Sequence, residues 1–165
     1  MKVKLMPYEL YLGAIVGMRR HILSLNSPEM NIVKNKNFSW ATDIEAACGE
    51  VAVAKALNLF WDGSVNTFKR PDLQPDIQVR QTEEDDGRLI VRPKDKPNER
   101  YFLVTGKWGD FVLRGWILGE DAKVDENHTK GYNGMPDAWM VPQSRLLDIN
   151  SCSELEDNDA PDKEG

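Results

Sequence analysis

Cysteine is nearly missing from this chain: Cys48 and Cys152 are the only two in 165 residues. One falls in an expected helix and the other in an expected tail, so no disulfide framework is available. Two lone thiols suit a reducing compartment, here the cytoplasm. Histidine is as scarce. His21 and His128 stand apart from each other and from Cys48, which leaves no zinc-ligand spacing. No apolar run approaches the roughly 20 residues needed to cross a bilayer. The opening stretch, MKVKLMPYELYLGAIVGMRR, is interrupted by Pro7 and Glu9 and reaches Arg19 and Arg20 where a cleavage site would need small residues. It therefore reads as structure and not as a targeting segment. Gly-rich phosphate loops, Walker motifs and a GxSxG elbow are absent. So are internal repeats.

What charge there is sits unevenly. The net charge is −6, and from Glu154 onward six acids face only Lys163, which puts five of those negative charges in the tail and leaves one on the body. A body so close to neutral argues against tight non-specific DNA binding, which needs many cationic contacts. The tail, SCSELEDNDAPDKEG, is too polar to bury anything and is expected to be disordered. It reads as a solubilising terminus, or as a segment that mimics DNA charge or screens a basic groove. One α+β domain over residues 1–150 and an acidic tail over 151–165 is the expected organisation.

Periodicity supplies the elements. Residues 2–5 alternate as a short strand. Tyr8, Tyr11, Leu12, Ile15, Met18, Ile22 and Leu25 then recur at three and four, predicting an amphipathic helix that turns this face to the core and ends at Asn26-Ser27-Pro28. Residues 29–40 read as a loop. A second helix is expected from a cap at Thr42 or Asp43 to about Leu57, with Glu45 in its first turn, where a negative charge suits the helix dipole. Its run of Ala46, Ala47, Cys48, Gly49, Ala52, Ala54 and Ala56 makes it thin enough to approach a sheet closely. From residue 64 the period changes to two. Strands are predicted at 64–68, 77–82, 88–92, 100–105, 111–117 and 138–141, separated by Pro- and Gly-rich turns. Two helices followed by a meander of five to six mostly antiparallel strands is α+β logic.

Chemistry enters with Glu50, whose neighbours on the second helix are Ala46, Ala47, Val53, Ala54 and Leu57. A carboxylate in that setting needs a compensating cation, a hydrogen-bond partner or a metal. Two Pro-Asp pairs, Pro71-Asp72 and Pro75-Asp76, precede the strand Ile77 to Thr82. Alternation turns Ile77 and Val79 to one face and Asp76, Gln78 and Arg80 to the other. Were the second helix to cover that polar face, Glu50, Asp72, Gln78 and Arg80 would converge as a Mg²⁺ and phosphate site. Plain turn chemistry at the Pro-Asp pairs is the competing explanation. Lys107-Trp108, Arg114-Gly115-Trp116 and Trp139 mix aromatics with cations, suited either to base stacking or, for Trp116 and Trp139, to a core. Lys123 in GEDAK follows a strand end and is expected either at the surface or near the same pocket.

A helical Glu, an Asp after Pro, and a strand with the pattern acid-x-Lys resemble the PD-(D/E)xK nuclease superfamily. By that resemblance Glu50 matches the helical acid, Asp72 the Pro-Asp acid with Asp76 as a spare, Gln78 the (D/E) position and Arg80 the Lys position. It implies that Glu50, Asp72, Asp76 and Gln78 hold a divalent metal, Mg²⁺, while Arg80 contacts a phosphate of a nucleic acid. Gln78 is a neutral ligand where an acid is usual, and Arg80 stays protonated and is no base. The stretches GEVAVAKALNLFW, LIVRPKD, FLVTG, GWILGEDAK and WMVPQSRL are also similar to small proteins of tailed bacteriophages, over roughly residues 40–147. Two functions follow as expectations. One is a metal-dependent, nuclease-like protein that binds or cleaves nucleic acid; the other is a non-catalytic phage protein that inhibits or recruits a host protein.

Overall fold

A computed structural model describes residues 1–25, 39–65, 70–131 and 136–152. The fold is α+β. Strand β1 (Lys2–Lys4) leads into helix α1 (Pro7–Ser24), and helix α2 (Trp40–Leu57) follows. Then come β2 (Ile77–Thr82), β3 (Leu89–Val91), β4 (Arg100–Lys107), β5 (Asp110–Leu118), a single helical turn α3 (Gly119–Ala122), β6 (His128–Thr129) and β7 (Ala138–Val141). Expected strands and observed ones agree within a residue or two. The exceptions are β6, which was not expected, and 64–68, where Ser64 and Val65 are not in a strand and 66–68 lie outside the described residues. The loop positions 29–38 and the acidic residues from Glu154 also lie outside them.

The expected single meander is instead two sheets. The larger has the order β1-β5-β4-β2, and the smaller β3-β7-β6. β4 and β5 form an antiparallel hairpin, whereas β2 runs parallel to β4 from Ile77 opposite Arg100 to Thr82 opposite Thr105. A parallel pair needs a crossover, and residues 83–99, which carry β3, provide it. β3 leaves to pair with β7, Leu89 opposite Val141, and that departure makes the second sheet. At the β4–β5 hairpin Gly106 takes φ +112°, where a Cβ would stand 2.3 Å from the Asp110 carbonyl oxygen, so no other residue fits there.

Packing follows the strand alternation. One face of the large sheet presents Ile77, Val79, Phe102, Val104 and Leu113 to Cys48, Val51, Ala52 and Val53 of α2. The other presents Tyr101, Leu103 and Ile117 to Leu89, Val91 and Val141 of the small sheet. Trp116 is buried, as the core alternative for it required. Cys152, expected in the tail, is buried too, and its Sγ lies 2.9 Å from Arg100 Nη1. The ordered domain therefore continues past residue 150.

The helix pair departs from the pattern read in the sequence. α2 is buried all round from Ala47 to Ala54, Glu50 included, because it is covered twice, by the sheet and by α1. The buried residues that α1 turns to α2 are Gly13, Gly17 and His21, with Leu10 packed partly buried against the core. A Cβ on Gly13 would stand 2.7 Å from Cys48 Sγ, and one on Gly17 2.5 Å from Ile44 Cα. The backbones meet that closely because neither glycine has a side chain. Tyr8, Tyr11, Leu12, Ile15, Met18, Ile22 and Leu25, expected in the core, are all exposed, between 41 and 67 %. Periodicity identified a real stripe on the helix but assigned it to the wrong side. Among the described residues no helix is long and apolar enough to cross a membrane.

Candidate functional site

Glu50 is 4 % exposed, so the sequence argument that it must be compensated holds. The compensating group is Arg20 of α1. Its guanidinium makes a two-point fork, Nη1 to Oε1 at 2.5 Å and Nη2 to Oε2 at 2.9 Å. Trp61 Nε1 donates to Oε2 at 2.9 Å. Arg20 spends further donors on the Ser64 carbonyl, from Nε at 3.2 Å and Nη2 at 2.8 Å. Arg20 lies three residues past Gly17, on the same side of α1, which is how a charged residue reaches the space between the helices. Neither Arg20 nor Trp61 was singled out from sequence. The available signal was position: Arg20 shares the small-residue face of α1, and Trp61 follows the Asn58 cap of α2.

Asp72 joins this cluster electrostatically, and its Oδ2 accepts the Val79 backbone N–H at 2.8 Å. Burial pushes the Glu50 carboxyl up to about 7; the Arg20 pairing opposes that, and the nearby Asp72 charge adds to it. Asp72 is raised as well, chiefly by burial, against the pull of the Val79 N–H, Arg80 and Arg20. Arg20 is raised too. Its own burial is outweighed by Glu50, so the guanidinium holds its proton more firmly. An arginine does not lose its proton in a protein. The group whose ionisation is in play is therefore Glu50.

Helix α2 covers the Ile77 and Val79 face of β2, not the Gln78 and Arg80 face. This corrects the arrangement on which the converging metal site depended. A Cβ on Gly49 would lie 3.1 Å from Gln81 Cβ, so the same face continues one pleat further along the strand. Gln78 and Arg80 point to the opposite side, toward the small sheet. Gln78 Nε2 donates to Glu99 Oε2 at 2.9 Å, and Lys96 Nζ pairs with Glu99 Oε1 at 2.6 Å. Arg80 pairs with Asp95 at 3.0 Å, donates to the Ile90 and Val79 carbonyls, and lies 5.3 Å over the Tyr101 ring. Asp76 is clasped by Arg100, Nη2 to Oδ1 at 2.5 Å and Nε to Oδ2 at 3.0 Å.

Of the five candidates, Glu50 and Asp72 share one environment and the other three are held elsewhere by their own partners. Mg²⁺ asks for several oxygens converging at about 2.0–2.1 Å, whereas both Glu50 oxygens already face Arg20. Among the described residues no group of three or more His, Cys, Asp or Glu is arranged to hold a metal. The donor set as arranged does not fit the ion. At the Pro-Asp pairs turn chemistry prevails: Leu73 and Ile77 bridge across the turn, Asp72 caps Val79, and Asp76 anchors Arg100.

Elsewhere, Lys123 donates to the Pro93 and Asp95 carbonyls and lies 5.6 Å over Trp139. Lys107 Nζ sits 4.5 Å over the exposed Trp108 ring, and Arg114 pairs with Asp85. Arg80 lines a cleft of about 390 Å³ together with Arg88, Arg92, Ile90, Leu103 and Met140. Compared with family models, curated proteins and solved structures, the chain matched none.

Proposed function

We propose that this domain is a non-catalytic interaction protein, in the manner of a phage factor that inhibits or recruits a host protein, and that its likeness to PD-(D/E)xK nucleases is that of a degenerate relative without the metal chemistry. One observation carries the reading. α1 leaves a continuous stripe of seven large apolar residues in solvent, and exposed apolar patches of that extent mark contact surfaces. The Arg20 fork on Glu50 supports the non-catalytic part, because it uses both oxygens that a metal would need.

The test has two arms. Melting temperature measured with and without Mg²⁺ or Mn²⁺ is expected not to move, since an ion that binds only the folded state would raise it. Cleavage of single-stranded, duplex and branched DNA is expected to be absent in the wild type and in Glu50→Ala and Asp72→Ala alike. A metal-induced rise in melting temperature, with cleavage lost in either variant, would restore the nuclease reading.

A nucleic-acid-binding role without cleavage has one observation in its favour, the three arginines of the Arg80 cleft. It ranks second because Asp95 already neutralises Arg80, and Glu83, Glu84, Asp85 and Asp86 adjoin the cleft in sequence. Salt-dependent anisotropy of a labelled oligonucleotide, lost in Arg88→Ala and Arg92→Ala, would promote it.

A further inference from the structure

β2 and β3 belong to different sheets, and the cleft of about 390 Å³ is lined from both. Its volume is at the small end for ligand sites, enough for one small molecule. Arg80 stands on β2. Arg88 and Arg92 flank β3 at its two ends, with Ile90 between them. Leu89 and Val91 are fully buried against the large sheet, so alternation turns Arg88, Ile90 and Arg92 to the other side of β3. Met140 is the cross-strand partner of Ile90 on β7 and shares that face. Two cations therefore bracket an apolar pair.

The three arginines are not equivalent. Arg80 is built in: Nη2 pairs with Asp95 Oδ2 at 3.0 Å, Nε donates to the Ile90 carbonyl at 3.3 Å and Nη1 to the Val79 carbonyl at 3.2 Å. Asp95 Oδ2 also accepts the Arg92 backbone N–H at 2.9 Å, so one carboxylate fixes the Arg80 guanidinium beside the strand that carries the other two. Asp95 balances the charge of Arg80. The charges of Arg88 and Arg92 have no such balance. Among the described residues neither side chain makes an ion pair or a hydrogen bond, and Arg88 is exposed while Arg92 is half-buried. Two uncompensated guanidiniums beside an apolar floor suit a dianion with an apolar body. A phosphate monoester supplies both. Guanidinium forks match phosphate oxygens, and the group carries about two negative charges near neutral pH. A carboxylate would satisfy only one of the two cations.

A long polyanion fits less well. Thr82 and Gly87 both line the cleft, and the turn that joins them is Glu83-Glu84-Asp85-Asp86. Glu83 and Asp85 are paired with Lys107 and Arg114, while Glu84 and Asp86 stay exposed. Successive phosphates of a polymer that ran past this turn would be repelled by it, whereas a single phosphoryl group between Arg88 and Arg92 stops short of it. Ile90 and Met140 offer a floor on which a flat ring can lie, and a thioether favours ring contact. We infer that the cleft binds a free nucleoside monophosphate, its phosphate held by Arg88 and Arg92 and its base against Ile90 and Met140. This stands apart from the α1 surface and holds whatever that surface meets. It shares its arginines with the nucleic-acid reading and differs from it in the length of the ligand.

The experiment uses the full chain and adenosine monophosphate as the probe, followed by titration heat and by the methyl NMR signals of Ile90 and Met140. Saturable binding of one molecule per chain is expected, with both methyl signals displaced by the ring. Arg88→Ala and Arg92→Ala should each weaken binding roughly tenfold, the loss expected for one charge-assisted contact. Their melting temperatures should stay at the wild-type value, because neither side chain has a partner to lose among the described residues. Arg19→Ala, an exposed arginine on α1, should bind as the wild type does. Adenosine and inorganic phosphate, each offering half of the ligand, should bind far more weakly than the whole. Methyl signals that stay in place at millimolar nucleotide would overturn the inference. So would unchanged affinity in the Arg88→Ala, Arg92→Ala double variant, or inorganic phosphate or phenyl phosphate binding as tightly as the nucleotide. A single-stranded oligonucleotide that binds more tightly than the mononucleotide, with a steep salt dependence, would replace it by the nucleic-acid reading.

Discussion

Arg20 and Glu50 join α1 to α2 through the interior with two parallel hydrogen bonds, at 2.5 and 2.9 Å, on side chains 22 and 6 % exposed. A pair this enclosed is costly to break from one side. Removing the guanidinium leaves a buried carboxylate with Trp61 as its remaining side-chain donor. Arg20→Met is expected to lower stability by about 3 kcal/mol, the lower end of the range for breaking a buried pair. Replacing both partners, Arg20→Met with Glu50→Leu, should cost clearly less than the single change, since no charge is then stranded. Denaturant melts of the two singles and the double measure the coupling. Equal cost in single and double variants would show that the pair acts only by filling space.

Proton linkage at the same site has a definite sign. The Glu50 carboxyl is raised from an ordinary 4.5 to about 7, and Asp72 is raised in the same sense, burial being the first cause of each. The folded protein therefore binds these protons more tightly than the unfolded chain. Their contribution to stability is fully present below the ordinary carboxylate pKa and is lost as pH rises through about 7. Between pH 5 and pH 8 the stability of the wild type should fall by about 1–3 kcal/mol from this source, at roughly 1.4 kcal/mol for each pKa unit gained on folding. Glu50→Gln cannot titrate and should flatten the curve. A wild-type curve parallel to that of the variant would mean the carboxylate stays ionised beside Arg20.

At Gly17 two effects compete. Alanine is the better helix former by about 1 kcal/mol. Its Cβ, however, would stand 2.5 Å from Ile44 Cα and 2.6 Å from the Asp43 carbonyl oxygen, both backbone atoms that cannot turn aside. The clash should win. Gly17→Ala is expected to destabilise by about 1–3 kcal/mol, the usual range for an overpacked site. Gly13→Ala meets mainly the Cys48 side chain, at 2.7 Å, and should cost less. Thermal melts of the two variants give the order, and a stabilised Gly17→Ala would mean that α1 does not sit this close to α2.

The sequence disclosed the helices and strands far better than the way they face one another. β2 and β7 fall where the sequence places them, Ile77–Thr82 and Ala138–Val141, and in β2 the period is legible because Ile77 and Val79 are buried while Gln78 and Arg80 between them are half-buried. The orientation of α1 was not legible. A stripe of Tyr, Leu, Ile and Met looks the same whether it is destined for a core or for another surface, and the true contact was written in Gly13 and Gly17, whose lack of side chains carries no hydrophobic signal. Glu50 was legible as a buried acid, since its neighbours at three and four are apolar. Its partner was not, because Arg20 is 30 residues away and depends on how the two helices pair. The expected convergence of Glu50 and Asp72 with Gln78 and Arg80 broke at one step. It required α2 to cover the polar face of β2, whereas Ile77 and Val79 are the residues that bury favourably there.

Glu45 fastens α2 to the β4–β5 hairpin by a contact that no sequence pattern announces. Both of its oxygens accept the Trp108 backbone N–H, at 3.1 and 3.2 Å, and its side chain is buried there. Trp108 has φ +56°, a left-handed conformation that costs a residue with a Cβ about 1–2 kcal/mol. With its ring exposed, the residue has little core packing to hold that shape. The carboxylate is the restraint. Glu45→Ala is expected to cost about 1–3 kcal/mol, the penalty for orphaning a partly buried donor, and to speed hydrogen exchange at the Trp108 amide by tenfold or more, since 1.4 kcal/mol is one factor of ten. Glu45→Gln keeps one acceptor oxygen and should retain most of the protection. If exchange at Trp108 were unchanged in Glu45→Ala, the turn would be holding its own conformation through Gly106 and Gly109, and the acid on α2 would be a passenger.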